Sequence, residues 1–139
     1  MLYIVLVEDE YLDGDRTCSL LRGVLTIGEM HIEWLDTEHA FREWLAKRTG
    51  PPPDLVILDV RLPWTNPSPV MEPTPDGYAG SDEAGIRCYH LLRTHADCAK
   101  VPVILLTHTE VAVPEGAAIL AKGERLTRMA DVVRDLLCL

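Results

Sequence analysis

Four places along the chain set a reactive side chain directly after an apolar run. "LYIVLV" (2–7) leads into Glu8, Asp9 and Glu10, "LVIL" (55–58) into Asp59, "VPVILL" (101–106) into Thr107, and "AAILA" (117–121) into Lys122. A charge at the end of a buried segment costs free energy unless something uses it. Two carboxylates about 4 Å apart repel by roughly 4 kcal/mol at an effective dielectric of 20. Gathering Glu8, Asp9 and Asp59 therefore raises their pKa values or recruits a cation. A hard cation with oxygen ligands fits, because magnesium takes octahedral geometry from one or two carboxylates and several waters. The lysine adds a fixed point charge and the threonine a hydroxyl donor. Together they suit an anion arriving at Asp59, the arrangement for phosphoryl transfer to a carboxylate oxygen.

Taken singly, each part has an ordinary reading. Acids at strand ends are common turn residues, a lone Asp after a strand is usually a helix cap, and Lys122 alone is an exposed lysine opening a helix. Joint placement outweighs these readings, since four separate strand ends would have to match by chance.

The elements that position these residues alternate from end to end. "LYIVLV" is solidly apolar and reads as a strand buried on both faces. Leu12, Leu20, Leu21, Val24 and Leu25 form a helical stripe with Gly28 near its stop. "MHIEWLD" (30–36) alternates Met30, Ile32 and Trp34 with polar residues, the pattern of a half-exposed edge strand. Thr37 can cap a helix carrying Phe41, Trp44 and Leu45, and "GPPP" (50–53) ends the connection. After the strand at 54–58 and an irregular stretch, a helix from about Ser81 carries Ile86, Tyr89 and Leu92. Two more strands follow at 101–106 and 117–121. A last amphipathic helix carries Leu126, Met129, Val132, Val133 and Leu136. Continuous apolar strands alternating with helices imply a parallel sheet covered on both faces. In such sheets the active crevice lies beyond the carboxyl ends of the strands, where all four reactive positions fall.

Composition narrows the classes of function. The net charge of −9 repels nucleic-acid phosphates and anionic membranes, and no basic stripe offsets it. No run approaches the roughly 18 apolar residues that span a bilayer. The start "MLYIVLVEDE" lacks the basic region of a secretory signal, so a cytoplasmic location is expected. Cys18, Cys88, Cys98 and Cys138 show no CxxC spacing and read as small core residues. Cys88, His90, His95 and Cys98 invite a zinc reading. Three of them lie along one predicted helix with His90 pointing away from Cys88 and His95, which opposes it.

With these residues in view, the chain resembles a receiver domain of two-component response regulators, in the CheY-like superfamily. The likeness covers essentially its whole length and treats 1–139 as a single receiver domain. The acidic pocket matches "LVEDE", the phosphoacceptor motif "ILDVRLP", the hydroxyl position "VILLTH" and the lysine "LAKGE". The resemblance implies a doubly wound, five-stranded parallel sheet of flavodoxin-like order 2-1-3-4-5. It makes Asp59 the phosphoacceptor, Asp9 a direct magnesium ligand and Glu8 a ligand through water. Asp59 itself and the backbone carbonyl of Arg61 complete the metal site, while Thr107 and Lys122 hold the phosphoryl group. It further implies a histidine kinase or phosphotransfer protein as phosphodonor and a downstream protein target. Catalysis would be limited to the chain's own phosphorylation and dephosphorylation. With no DNA-binding module in the sequence, output through protein contacts is expected, without nucleic acid or membrane.

Three departures stand beside the resemblance. Residues 64–80, "WTNPSPVMEPTPDGYAG", make a long proline-rich insertion where most receivers have a tight turn. They read either as a flap presenting Trp64, Met71 or Tyr78 to a partner or as a tolerated surface insertion. The span between Thr107 and Lys122 is short, so the helix usual between the fourth and fifth strands is expected to be shortened or absent. Ile119 stands where the family carries a switch aromatic, His108 follows the threonine where small residues are usual, and Gly123 follows the lysine. These features keep an alternative open, a receiver-like interaction module that works without phosphorylation. A magnesium phosphohydrolase is opposed by Arg61, since those enzymes place a second acid two residues after the nucleophile. A flavin site is opposed by the acids at the first strand end, which repel phosphate.

Overall fold

The computed structural model describes residues 1–25, 28–66, 73–108 and 114–139. Strands β1 (Leu2–Val7), β2 (Met30–Leu35), β3 (Leu55–Asp59), β4 (Val103–Thr107) and β5 (Ala118–Ala121) form one sheet. Helices α1 (Tyr11–Val24), α2 (Glu38–Lys47), α3 (Ala84–Thr94) and α4 (Arg125–Leu137) connect and close it. The strand order is β2-β1-β3-β4-β5 with every pairing parallel, the order expected from the sequence.

Side chains leave a strand alternately to its two faces, and the continuous apolar strands use both. Val5, Val7, Val56, Leu58, Val103 and Leu105 point to one side, where Phe41 and Leu45 of α2 and Cys88 and Leu92 of α3 meet them. Ile4, Leu6, Leu55, Ile57, Ile104 and Leu106 point to the other, against Leu21 of α1 and Met129 and Val133 of α4. Each such side chain contributes about 1.5–3 kcal/mol on burial, so the three central strands are the most strongly held part of the molecule. β2, on the edge, is only half buried.

Details of the sequence reading need correction. Leu12 and Leu126, placed on apolar helix stripes, are exposed at 65% and 60%. Both lie in the first turn of their helices. Cys138 is also exposed, at the left-handed residue ending α4, while Cys18, Cys88 and Cys98 are buried in the core. α3 begins at Ala84 rather than near Ser81. The expected shortening or absence of the helix between β4 and β5 falls on 109–113, outside the described residues, and Met71 also lies outside them. Among the described residues around 109–113, none is helical.

The N-terminus of α2 is held from two directions. The Thr37 hydroxyl accepts from Ala40 N–H at 3.0 Å, the cap anticipated from the sequence. Glu38 and His39 donate their N–H groups to the carbonyls of Pro63 and Trp64, both at 3.0 Å. The chain leaving Asp59 thus closes the free donors of the helix. Behind this cap Glu38 is fully buried. It accepts hydrogen bonds from Arg87 Nη2 at 2.7 Å, Arg42 Nη2 at 3.0 Å and the Tyr78 hydroxyl at 3.3 Å. The Arg87 guanidinium lies over the Tyr78 ring and that of Arg42 over Trp64. Both ends of the 64–80 segment are therefore packed against α2 and α3.

Candidate functional site

The parallel register decides which residues meet. Val7 lies beside Leu58 and Asp59 beside Leu106, so the residues just past β1 and at the ends of β3 and β4 share one rim. Thr107 pairs with Ala121, which places Lys122 next on the same rim. Glu8 is fully buried, Asp59 is 2% exposed and Lys122 is 8% exposed. Lys122 Nζ lies 2.5 Å from Asp59 Oδ2 and 3.5 Å from Glu8 Oε1. The other Asp59 oxygen, Oδ1, accepts from Arg61 N–H at 3.2 Å, and Glu8 Oε1 accepts from Glu10 N–H at 3.2 Å. Asp9 stands on the solvent side, and oxygens of Glu8, Asp9 and Asp59 lie within 4.8 Å of one another.

The electrostatics follow from burial. Desolvation and the neighbouring Asp59 charge push the Glu8 carboxyl up to about 8, against the opposing pull of Lys122. Desolvation also raises Asp59, although its bond to Lys122 favours the charged form. Burial alone would lower Lys122, but its hydrogen bond to Asp59 and the charges of Asp59 and Glu8 outweigh this and raise it. One ammonium does not keep both buried carboxyls ionised, and near neutrality Glu8 is the one that holds a proton. Glu8 Oε2 is buried with no hydrogen-bond partner. A buried acid oxygen without a partner, beside two further carboxyl groups, makes an oxygen-rich site, and a hard divalent cation that displaces the Glu8 proton fits it.

Open clefts of about 350 and 390 Å³ adjoin Asp59. Thr107, Glu83 and Asp82 line the first, Asp9, Lys122 and Ser81 the second, and Asp59, Arg61 and His108 both. Every residue singled out from the sequence for the site therefore lies on this rim. The Arg61 side chain is turned outward, its Nε 3.7 Å from Asp82 Oδ1, so its part at Asp59 is through the backbone. Ile119 packs among the residues beneath α2 and α3.

Two contributors escaped the sequence reading. Gly85 lets the first turn of α3 lie on the Asp59–Val60 backbone: a Cβ there would sit 2.1 Å from the Asp59 carbonyl oxygen, and its N–H donates to Val60 at 2.8 Å. Trp34 donates its indole N–H to the Glu8 carbonyl at 2.8 Å. Neither is legible locally, since a helix-opening glycine and a strand tryptophan both have ordinary structural readings.

The chain has the fold of response-regulator receiver domains. It is similar to the response regulator Rcp1 in its Mn2+-bound form, at 19% identity and a TM-score of 0.68, covering 97% of this chain and 93% of that one. It is equally close in shape to the receiver domain of the sensor histidine kinase PA1611 from Pseudomonas aeruginosa PAO1, whose structure has magnesium coordinated in the active site cleft. There the identity is 16% and the TM-score 0.68, over 99% and 98% of the two chains. The RcsB response regulator of Salmonella typhimurium matches at 16% identity and a TM-score of 0.66. The match covers 97% of this chain but only 59% of RcsB. No family model and no curated protein matches at the level of sequence.

Proposed function

We infer that the chain is a phosphoryl-accepting signalling module with Asp59 as the acceptor. The observation that carries this reading is the buried Asp59 carboxylate held between the Lys122 ammonium and a second buried carboxylate, Glu8, with one oxygen unpartnered. A merely structural Asp–Lys pair has no use for Glu8 or for the cleft that opens on Asp59.

In this reading an Asp59 oxygen attacks the phosphorus of a phosphohistidine on a kinase or phosphotransfer protein. A P–O bond forms as the P–N bond breaks, and the electron pair leaves with the imidazole. Asp9, Asp59 and the Arg61 carbonyl would hold magnesium, with Glu8 acting through water; when bound, the ion supplies charge neutralisation at the phosphoryl oxygens. Lys122 stays close enough to pair with a phosphoryl oxygen, and the Thr107 hydroxyl donates to another. Hydrolysis of the acyl phosphate resets the site. Output passes through protein contacts, and the described residues contain no helix long and apolar enough to cross a membrane.

Incubation with a small phosphodonor and magnesium tests this: a mass gain of one phosphoryl group, absent in D59N, is expected. A folded protein that stays unmodified would favour the phosphorylation-independent interaction module, the reading to which His108 on both clefts gives weight.

A further inference from the structure

We propose that Trp34, at the far end of the edge strand, is a positioning residue for the cation-holding acids. This rests on the reading of Glu8, Asp9 and Asp59 as a magnesium site. β1 and β2 run in register with Leu6 beside Trp34 and Val7 beside Leu35. The ladder's last backbone bond runs from Glu8 N–H to the Leu35 carbonyl at 2.9 Å. Past that point β1 has no strand left to satisfy the Glu8 carbonyl, and the Trp34 indole N–H does so at 2.8 Å. Glu8 is thus gripped at both backbone groups by consecutive residues of β2. A peptide unit is planar, so fixing the Glu8 carbonyl also fixes the plane from which Asp9 departs. One indole therefore sets the direction of both acids toward Asp59.

The helix that follows is built around this ring. A Cβ at Gly14 of α1 would lie 2.0 Å from Trp34 Cζ2. Only glycine lets the first turns of α1 rest directly on the indole. Tyr11 stacks on the same ring at 5.7 Å with an interplanar angle of 25°. Filling space at a half-buried sheet edge does not require the indole N–H bond, and that bond is the contact that reaches the loop of acids.

The test compares W34F, which keeps an aromatic ring but loses the donor, with W44F. The latter removes an indole N–H bonded to the Tyr3 hydroxyl at 3.2 Å, on a contact with no part in the site. Magnesium alone is titrated by calorimetry into each variant of the 139-residue chain. W34F is expected to weaken binding about tenfold or more, the range for losing a group that orients a metal ligand, and W44F to leave it unchanged. Amide exchange is then followed in metal-free protein. W34F should lose protection at Glu8 and Glu10, whose N–H groups bond Leu35 O and Glu8 Oε1. Protection at Ile57 and Leu105 in the central strands should persist. Unchanged magnesium affinity in W34F, or retained protection at Glu10, overturns the proposal. If the wild-type chain takes up no magnesium, the cation reading itself fails. The exchange data then decide the positioning claim, loss at Glu10 upholding it and retention overturning it.

Discussion

Lys122 Nζ lies 2.5 Å from Asp59 Oδ2, joining residues 63 positions apart at the ends of strands that are not neighbours in the sheet. Both groups are buried, so the lysine is the nearest compensating charge for Asp59 and Glu8 together. In the proposed reading K122A removes a charge aimed at the transferred group, and removal of one such donor costs about 10²–10³-fold in rate. Phosphorylation of Asp59 by a small phosphodonor should fall by that order, measured by intact mass against time. A rate within a few-fold of wild type would mean that the pair is structural.

Cation binding should register as stability. A ligand that binds only the folded state at 100 times its dissociation constant adds about 2.7 kcal/mol. Saturating magnesium should raise the thermal midpoint of the wild-type chain and have little effect on D9N, which loses the acid on the solvent side of the cluster. Equal shifts in the two proteins would locate the ion elsewhere.

Gly85 tests the packing of α3 on the Asp59–Val60 backbone. With its Cβ 2.1 Å from the Asp59 carbonyl oxygen, G85A forces backbone apart and should cost about 1–3 kcal/mol. G23A in α1 meets nothing within 4 Å and should gain roughly 0.5–1 kcal/mol from helix propensity. Denaturant midpoints of the two variants should move in opposite directions. A neutral G85A would show that α3 is free to shift.

Glu38 makes stability depend on acid pH. Burial alone would raise its pKa, but hydrogen bonds and charge from Arg87 and Arg42 win and hold it below the ordinary 4.5. A depressed folded pKa stabilises in full above the unfolded value and is lost as pH falls through the folded one. Wild type should exceed E38Q in stability by roughly 1–3 kcal/mol near neutrality, the scale for hydrogen bonds to buried charge. The gap should close as pH drops below about 4.5, measured by denaturant midpoints across pH. A gap that widened in acid would contradict the assignment.

The sequence by itself determined where the strand-end residues meet. Glu8, Asp9, Asp59, Thr107 and Lys122 each follow an apolar run, and such a run has few ways to be buried except as a central parallel strand. Once the strands are parallel, their carboxyl ends must share one rim, so the layout of the site was legible before any contact was known. The Thr37 cap was readable for the same reason: its signal lies within four residues. Only the tertiary structure decided the rest. The indole of Trp34 on the Glu8 carbonyl, Gly85 against Asp59 and Arg87 on Glu38 join segments 26, 26 and 49 residues apart. Their register along the chain carries no periodic or motif signal. A close approach between two elements is set by how the helices settle on the twisted sheet, which no single stretch of residues encodes.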